Sequence, residues 1–371
     1  MKKSKILVAC TVLMLVVFLV VTGCGGPAPA GNGDAPAASQ EVIDWTIATS
    51  WPAGMLLHEM AEIWADKVEK ASGGRMRIEV LPGGAMVGPL EVLDAASAGT
   101  IDGMHSWSAY WIGKHPGAHM FSSIPMLFDT HSHIAWMIDR GLDYQNQLYQ
   151  DKMGLNTVTF LCGATHPELL AHSNVPLAKL DDWQGTKYRT PGWWAEILKD
   201  MGVAVVTIPG AEVYPSLERG VIDAAEFSSP VVNYDLGFHE VTSFYTGPGM
   251  HQPSVLFEIT LNKSSFDALP ADLQEIVEQA ALATTIETWA YDIVEGIRIL
   301  DQWEGAGLTP VKVDDDAQVA FREQAWDFIE KEAQKDPFLK EMWDDAREFY
   351  VQFNQYEDFM NPVRDIPAAW Q

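Results

Sequence analysis

The sequence predicts a mixed α/β protein of two lobes with a ligand cleft between them, braced by one long helix. Three observations predict this. Strand-like and helix-like segments alternate from Asp44 onward, the alternation resumes in a second block after Asn156, and residues 270–304 read as a single helix longer than one lobe. In order, residues 45–49 form a short strand bounded by Ser50-Trp51-Pro52. Residues 55–71 form a helix, with Leu56, Met60, Ile63, Trp64 and Lys67 on one side at 3/4 spacing and Gly73-Gly74 as the stop. Residues 76–81 alternate and end at Pro82-Gly83-Gly84, a second strand, and residues 89–98 form a helix closed by Gly99. That pace implies βαβ units and a mainly parallel sheet.

In the second block, strands are expected at 156–161, 185–189, 203–208, 222–227 and 255–262, with helices at 192–201 and 211–219. Residues 270–304 hold no internal Pro. Their apolar stripe runs through Leu273, Ile276, Val277, Ala280, Ile286, Trp289, Ile293, Ile297 and Leu300. A helix of that length spans ~50 Å and must brace both lobes or reach a partner. The remainder is helical and rich in acids and aromatics, and Asp314-Asp315-Asp316 reads as a charged helix start. The expected division is 42–166 plus 254–285 for lobe I and 167–253 plus 286–371 for lobe II.

The chain has 371 residues with 51 acidic and 24 basic side chains, a net charge of −27. That balance argues against nucleic acid and against docking of a basic patch on anionic lipid. Lys2, Lys3 and Lys5 precede an apolar run from Ile6 to Val21, the pattern of an export signal. The run ends in Val21-Thr22-Gly23-Cys24, which matches a bacterial lipobox. Residues 1–23 are therefore expected to be a lipoprotein signal, Cys24 the lipidated residue, and 24–41 a flexible Gly/Pro/Ala/Ser linker. Cleavage would remove 23 residues, among them three lysines and no acid, so the mature charge becomes −30. The expected address is periplasmic or extracytoplasmic, anchored to the membrane by lipid. Cys162, after the apolar run 158–161, reads as a buried, inert thiol.

Enzyme motifs are missing: there is no G-x-S-x-G elbow, no phosphate loop and no H-E-x-x-H. His131-Ser-His133 has the spacing of a metal pair but no further ligands, and reads as exposed loop histidines. His166-Pro-Glu168 lacks the second half of a deaminase zinc motif. Polar residues do stand at the ends of apolar strands. Arg189 closes Thr186-Lys-Tyr-Arg189, where a planar guanidinium suits a carboxylate, although a surface ion pair is the ordinary role of a single Arg. Glu226 closes 222–226 before Phe227-Ser228-Ser229-Pro230, and an acid there needs a cation or hydrogen bonds. The readings are a binding protein for a small organic anion or, as alternatives, an envelope hydrolase or a sensor lipoprotein on the same scaffold.

The order of segments resembles the DctP-type solute-binding proteins of tripartite ATP-independent periplasmic (TRAP) transporters. The resemblance is carried by Leu81-Pro-Gly-Gly84, Leu93-Asp-Ala-Ala-Ser-Ala-Gly-Thr-Ile-Asp102, Leu180-Asp-Asp-Trp-Gln-Gly-Thr-Lys-Tyr-Arg189, Pro209-Gly-Ala-Glu-Val-Tyr-Pro-Ser-Leu-Glu-Arg-Gly-Val-Ile-Asp-Ala-Ala-Glu226 and Leu261-Asn-Lys263. It implies a two-lobe periplasmic-binding-protein fold of type II kind, no enzymatic activity and delivery to TRAP permease membrane subunits. It is closest to the branch that binds 2-oxo or 2-hydroxy monocarboxylates such as pyruvate or lactate. There Arg189 would grip the carboxylate, with Trp51, Trp107 and Tyr110 walling the pocket. A bridging metal would be held by Glu168, Glu226, Gln252 and the Phe227 carbonyl. That branch often carries Gln where this chain has Glu168 and Glu where it has Gln252. Hard oxygen ligands suit Na+ or Ca2+ rather than zinc. No organic cofactor is implied, and the branch includes homodimers.

Overall fold

The structure, a computed structural model, describes residues 42–208 and 210–362; the expected signal, Cys24 and linker lie outside them. The described strands are β1 (Ile43–Thr49), β2 (Met76–Leu81), β3 (Gly103–Ser106), β4 (Thr157–Thr165), β5 (Ala171–Ser173), β6 (Lys187–Arg189), β7 (Ala204–Val206), β8 (Ala224–Ala225), β9 (Phe244–Gly247), β10 (Val255–Asn262) and β11 (Thr309–Lys312). They form two sheets, in the orders β2-β1-β3-β10-β4 and β11-β9-β5-β8-β6-β7.

The sheets are mixed rather than mainly parallel. In the first, β1 runs parallel to β2 and β3, while β10 is antiparallel to both β3 and β4. In the second, β5 is antiparallel to β8 and β9, and the other pairs are parallel. Strand β10 returns from the second sheet and inserts between β3 and β4, so its direction is set by a distant crossing and not by its local pattern. It is buried along its whole length, as a strand covered on both faces should be.

Three segments pass between the sheets: residues 166–170 from β4 to β5, residues 248–254 from β9 to β10, and the stretch from β10 to β11 that contains the long helix Ala271–Gly305. The helix packs against β4 and the helix Leu56–Ala71 beside the first sheet, and against the helix Pro230–Asp235 and β11 beside the second. It is thus the expected brace, and Leu273, Val277 and Ala280 of the expected stripe are buried, but in its second half the buried face is not the expected one. Ile286 and Ile297 are exposed, whereas Thr284, Thr285, Thr288, Asp292 and Gly296 are buried. The reason is the edge of β4. Gly163 N–H donates to Thr285 Oγ1 (2.9 Å), Ala164 N–H to Thr288 Oγ1 (3.2 Å) and His166 N–H to Asp292 Oδ2 (2.8 Å). Side chains of the helix take the place of a neighbouring strand, because buried backbone donors must be paired. Farther toward its start, the helix is held by apolar packing. Trp64 is fully buried in a cluster with Leu273 and Val277 and donates its indole N–H to Val277 O (3.1 Å).

Three smaller readings also change or hold. His133 lies in the helix Thr130–Trp136 and is buried, with Nδ1 2.7 Å from Ser254 Oγ and Nε2 3.1 Å from Met120 O, so the His131/His133 pair is neither a metal pair nor an exposed loop. Cys162 is buried and free, as expected, and burial raises its thiol pKa well above the usual value. The helix Asp315–Ala333 starts at the acidic triplet.

Candidate functional site

Seven of the side chains that border the central cavity stand at or just beyond strand ends facing the same gap. Trp51 follows β1, Trp107 and Tyr110 follow β3, and Glu168 follows β4. Across from them Arg189 ends β6, and Glu226 and Phe227 follow β8. Carboxyl ends of strands in open sheets leave the chain turning outward, which is where ligands sit. Gln252, from the crossing between β9 and β10, and Val255 and Phe257 of β10 complete the lining, with Leu57, Pro191 and Ser228. The cavity measures about 500 Å³ counted to its open mouth. All eight side chains expected from the sequence therefore meet in one place.

The aromatic wall is fixed from behind. Trp51 packs edge-on to Phe257 and against Tyr110, and Tyr110 meets Trp107 edge to face at 5.3 Å. Trp51 donates its indole N–H to His105 Nδ1 (3.2 Å), while His105 Nε2 faces Cys162 O at 2.8 Å. That pair of contacts assigns the His105 proton to Nε2. Burial lowers the His105 pKa to about 4, so the ring stays neutral. Tyr110, the most exposed of the wall, stands at the mouth.

The opposite wall carries the charge. Arg189 is buried, with Nη1 donating to Glu226 O (2.9 Å) and Glu226 Oε1 (3.2 Å), and Nε donating to Ile208 O (3.2 Å). Its guanidinium lies over the Phe227 ring at 5.6 Å. These contacts leave Nη2 as the arm without a hydrogen bond to the described residues. Glu226 thus has the cation its position demanded, and from the adjacent strand of its own sheet.

Glu168 is also buried, and its N–H donates to Gln252 O (3.2 Å), tying two of the crossings together. Gly249 permits this approach: a Cβ there would lie 1.9 Å from Glu168 O. Beneath the carboxylates lies His251, which the sequence reading missed. Its Nε2 is 3.2 Å from Glu168 Oε2 and 3.4 Å from Glu226 Oε2. Burial opposes charge on His251, but the two glutamates outweigh it and raise its pKa to about 9. Burial likewise opposes charge on Glu226, and His251 and Arg189 outweigh it and hold Glu226 below its usual value. Glu168, farther from Arg189, is pushed up by burial to about 8.

The cluster suits a hard cation. One ligand atom from each of Glu168, Glu226 and His251 lies within 4.8 Å of the others. Gln252 Oε1 is buried and receives no hydrogen bond, and the buried Glu168 Oε2 and Glu226 Oε2 share His251 Nε2 as their one close cationic neighbour among the described residues. Buried acceptors left open are costly, and carboxylate and amide oxygens are the donors that calcium and sodium take.

Comparison with known proteins agrees with this architecture. A relative from Nostoc sp. strain PCC 7120, a monocarboxylate 2-oxoacid-binding periplasmic protein, is 29% identical over 312 residues, covering 84% of this chain and 85% of its own length. A TRAP periplasmic solute-binding protein of Colwellia psychrerythraea, solved with bound calcium and pyruvate, superposes with a TM-score of 0.81 at 23% identity, covering 86% of this chain and 98% of that one. One from Pseudoalteromonas atlantica, solved with sodium and pyruvate, gives 0.79 at 24% identity, covering 86% and 97%. At these identities the two structures establish the fold. The family model of bacterial extracellular solute-binding proteins, family 7, matches residues 47–336, and the chain belongs to that family, DctP.

Proposed function

We propose that this protein captures a small 2-oxo or 2-hydroxy monocarboxylate, of the size of pyruvate or lactate, together with a calcium or sodium ion, and delivers it to the membrane subunits of a TRAP permease. The observation that carries the reading is the pairing of opposites in one buried cleft. Arg189 offers a free cationic arm, Gln252 Oε1 lacks a donor, and the Glu168 and Glu226 Oε2 atoms share a single His251 Nε2 between them. In this reading Arg189 takes the ligand carboxylate by charge-assisted hydrogen bonds. The three oxygens and the Phe227 carbonyl hold the cation, whose charge lets an anion enter beside two carboxylates. Trp51, Trp107 and Tyr110 exclude water and limit the ligand's length. The ligands named for the relatives from Nostoc, Colwellia and Pseudoalteromonas support the substrate class and the cation.

The lobe boundaries, the lipid on Cys24 with its extracytoplasmic anchoring, and a homodimer belong to the same proposal. The exposed Ile286, Val294 and Ile297 of the long helix would give such a dimer an apolar surface. Binding without turnover is adopted over a hydrolase or a sensor because the family is one of binding proteins. Mass spectrometry under native conditions tests the reading: the purified protein should carry a small monocarboxylate with one Ca2+ or Na+. A neutral or dicarboxylate ligand retained alone would overturn it.

A further inference from the structure

Asp292 is an unusual residue for its place. It is buried at 1% exposure, in the middle of the long helix Ala271–Gly305, and among the described residues no Lys or Arg pairs with it. A buried carboxylate without a counter-charge persists only when hydrogen bonds hold it. Asp292 has two, to different parts of the molecule. Oδ2 accepts from the backbone N–H of His166 (2.8 Å) and Oδ1 accepts from the hydroxyl of Ser229 (2.6 Å). His166 opens the crossing between the sheets, two residues before Glu168. Ser229 lies three residues after Glu226 and two after Phe227, directly before the helix Pro230–Asp235. One side chain therefore clamps both segments that carry the buried carboxylates.

The clamp is part of a longer joint. Thr285 and Thr288 hold the N–H groups of Gly163 and Ala164 on the same helix face, so the crossing leaves β4 pinned at three successive points. Beyond Asp292 the path continues: Leu169 N–H donates to Ser228 O (3.3 Å) and Glu168 N–H to Gln252 O (3.2 Å). The helix thus reaches the loop after β8 and the crossing between β9 and β10 through a chain of direct hydrogen bonds. Asp292 is the only one of its three docking side chains that reaches across to the loop carrying Glu226.

We propose that Asp292 is a positioning residue: it sets the spacing of Glu168 against Glu226 and so couples the long helix to the cation and anion site. It touches neither ligand, and acts through His166 and Ser229. The proposal rests on the reading of the cleft given above for its consequence in binding, but the arrangement it asserts can be measured without any ligand. Partners that orient ligating carboxylates commonly change metal affinity about 10–100-fold when removed.

The test uses the full protein and its Asp292→Ala, Ser229→Ala and doubly substituted forms. Hydrogen–deuterium exchange of the ligand-free protein comes first. Asp292→Ala should speed exchange both at 163–169 and at 226–230, leaving β1 and β2 as in the wild type. Calcium binding, measured with the metal alone, should then weaken at least about tenfold in each single variant. The double variant should bind no more weakly than Asp292→Ala, because both substitutions break one bridge. If exchange changes at neither or only one segment, or if it changes at both while calcium affinity stays within about twofold of wild type, Asp292 only holds the helix in place and the proposal fails. A wild type that binds no cation would overturn the reading of the cleft instead, and the exchange result would still decide whether Asp292 clamps the two segments.

Discussion

Replacing Arg189 by alanine should separate its two jobs. In the folded protein Nη1 and Nε already serve Glu226 and Ile208, so a ligand carboxylate meets the free Nη2 arm. One or two charge-assisted bonds there contribute about 1.5–3 kcal/mol each. Removing the guanidinium also strips Glu226 of its strand-neighbour cation and leaves only His251 against it. Breaking a buried pair from one side costs ~3–5 kcal/mol, and at 1.4 kcal/mol per tenfold the loss of affinity is roughly two to three and a half orders of magnitude. Calorimetry with pyruvate in the presence of calcium measures it, with circular dichroism to confirm folding. Arg189→Lys is the control. It keeps a positive charge beside Glu226 and so should retain most of the stability, but one ammonium cannot hold Glu226 and the ligand in the same fork geometry, so it should still bind poorly. A folded Arg189→Ala protein that binds pyruvate within about threefold of wild type would refute the reasoning.

Other outcomes follow from particular contacts. Gly249→Ala puts a Cβ 1.9 Å from Glu168 O, so the crossing that carries His251 and Gln252 must move; ligand and cation affinity should fall together, while a thermal shift with unchanged affinity would show the crossing absorbs it. Burial raises the Glu258 pKa to about 7 against the opposing bonds from Trp111 (2.8 Å) and Tyr149 (2.8 Å), with Gln145 as a third donor. A carboxyl whose folded value lies above its unfolded one binds more protons when folded, so its contribution to stability declines as pH rises from about 4.5 to 7, on the order of 3 kcal/mol across that window. Thermal unfolding against pH in wild type and Glu258→Gln checks this, since the variant should lose that part of the slope. Cys24→Ala should abolish incorporation of labelled fatty acid and release the protein from the membrane; equal labelling of both proteins would contradict a lipid on Cys24.

Part of the site was legible in the sequence because its residues break local rules. Arg189 and Glu226 are charges at the ends of apolar strands, whereas Trp51, Trp107, Tyr110, Glu168 and Gln252 came only through the resemblance to the DctP family. His251 also had a signal, a histidine beside Gln252 in a Gly/Pro-rich turn, but only the fold brings it beneath Glu168 and Glu226. The strands β3, β5 and β9 went unseen because three or four residues are too few for a period to register, and β8 is only two residues long. The antiparallel course of β10 depends on a crossing far along the chain, which no local pattern encodes. In the long helix, periodicity pointed Ile286 and Ile297 inward. Tertiary demand won instead: the unpaired N–H groups at the end of β4 and of His166 just beyond it need Thr285, Thr288 and Asp292, so the polar residues turn in and the isoleucines turn out.

The central claim is that a cation and a monocarboxylate enter this cleft together. Titrating pyruvate into protein stripped of metal by chelation, then repeating with added calcium and with added sodium, tests it most directly. Binding should be weak or undetectable without the cation and restored by one of the two ions. Glu226→Gln should lose that restoration because it removes a charged ligand oxygen. Equal affinity with and without cation would remove the metal from the site, and no binding under any of these conditions would remove the substrate class.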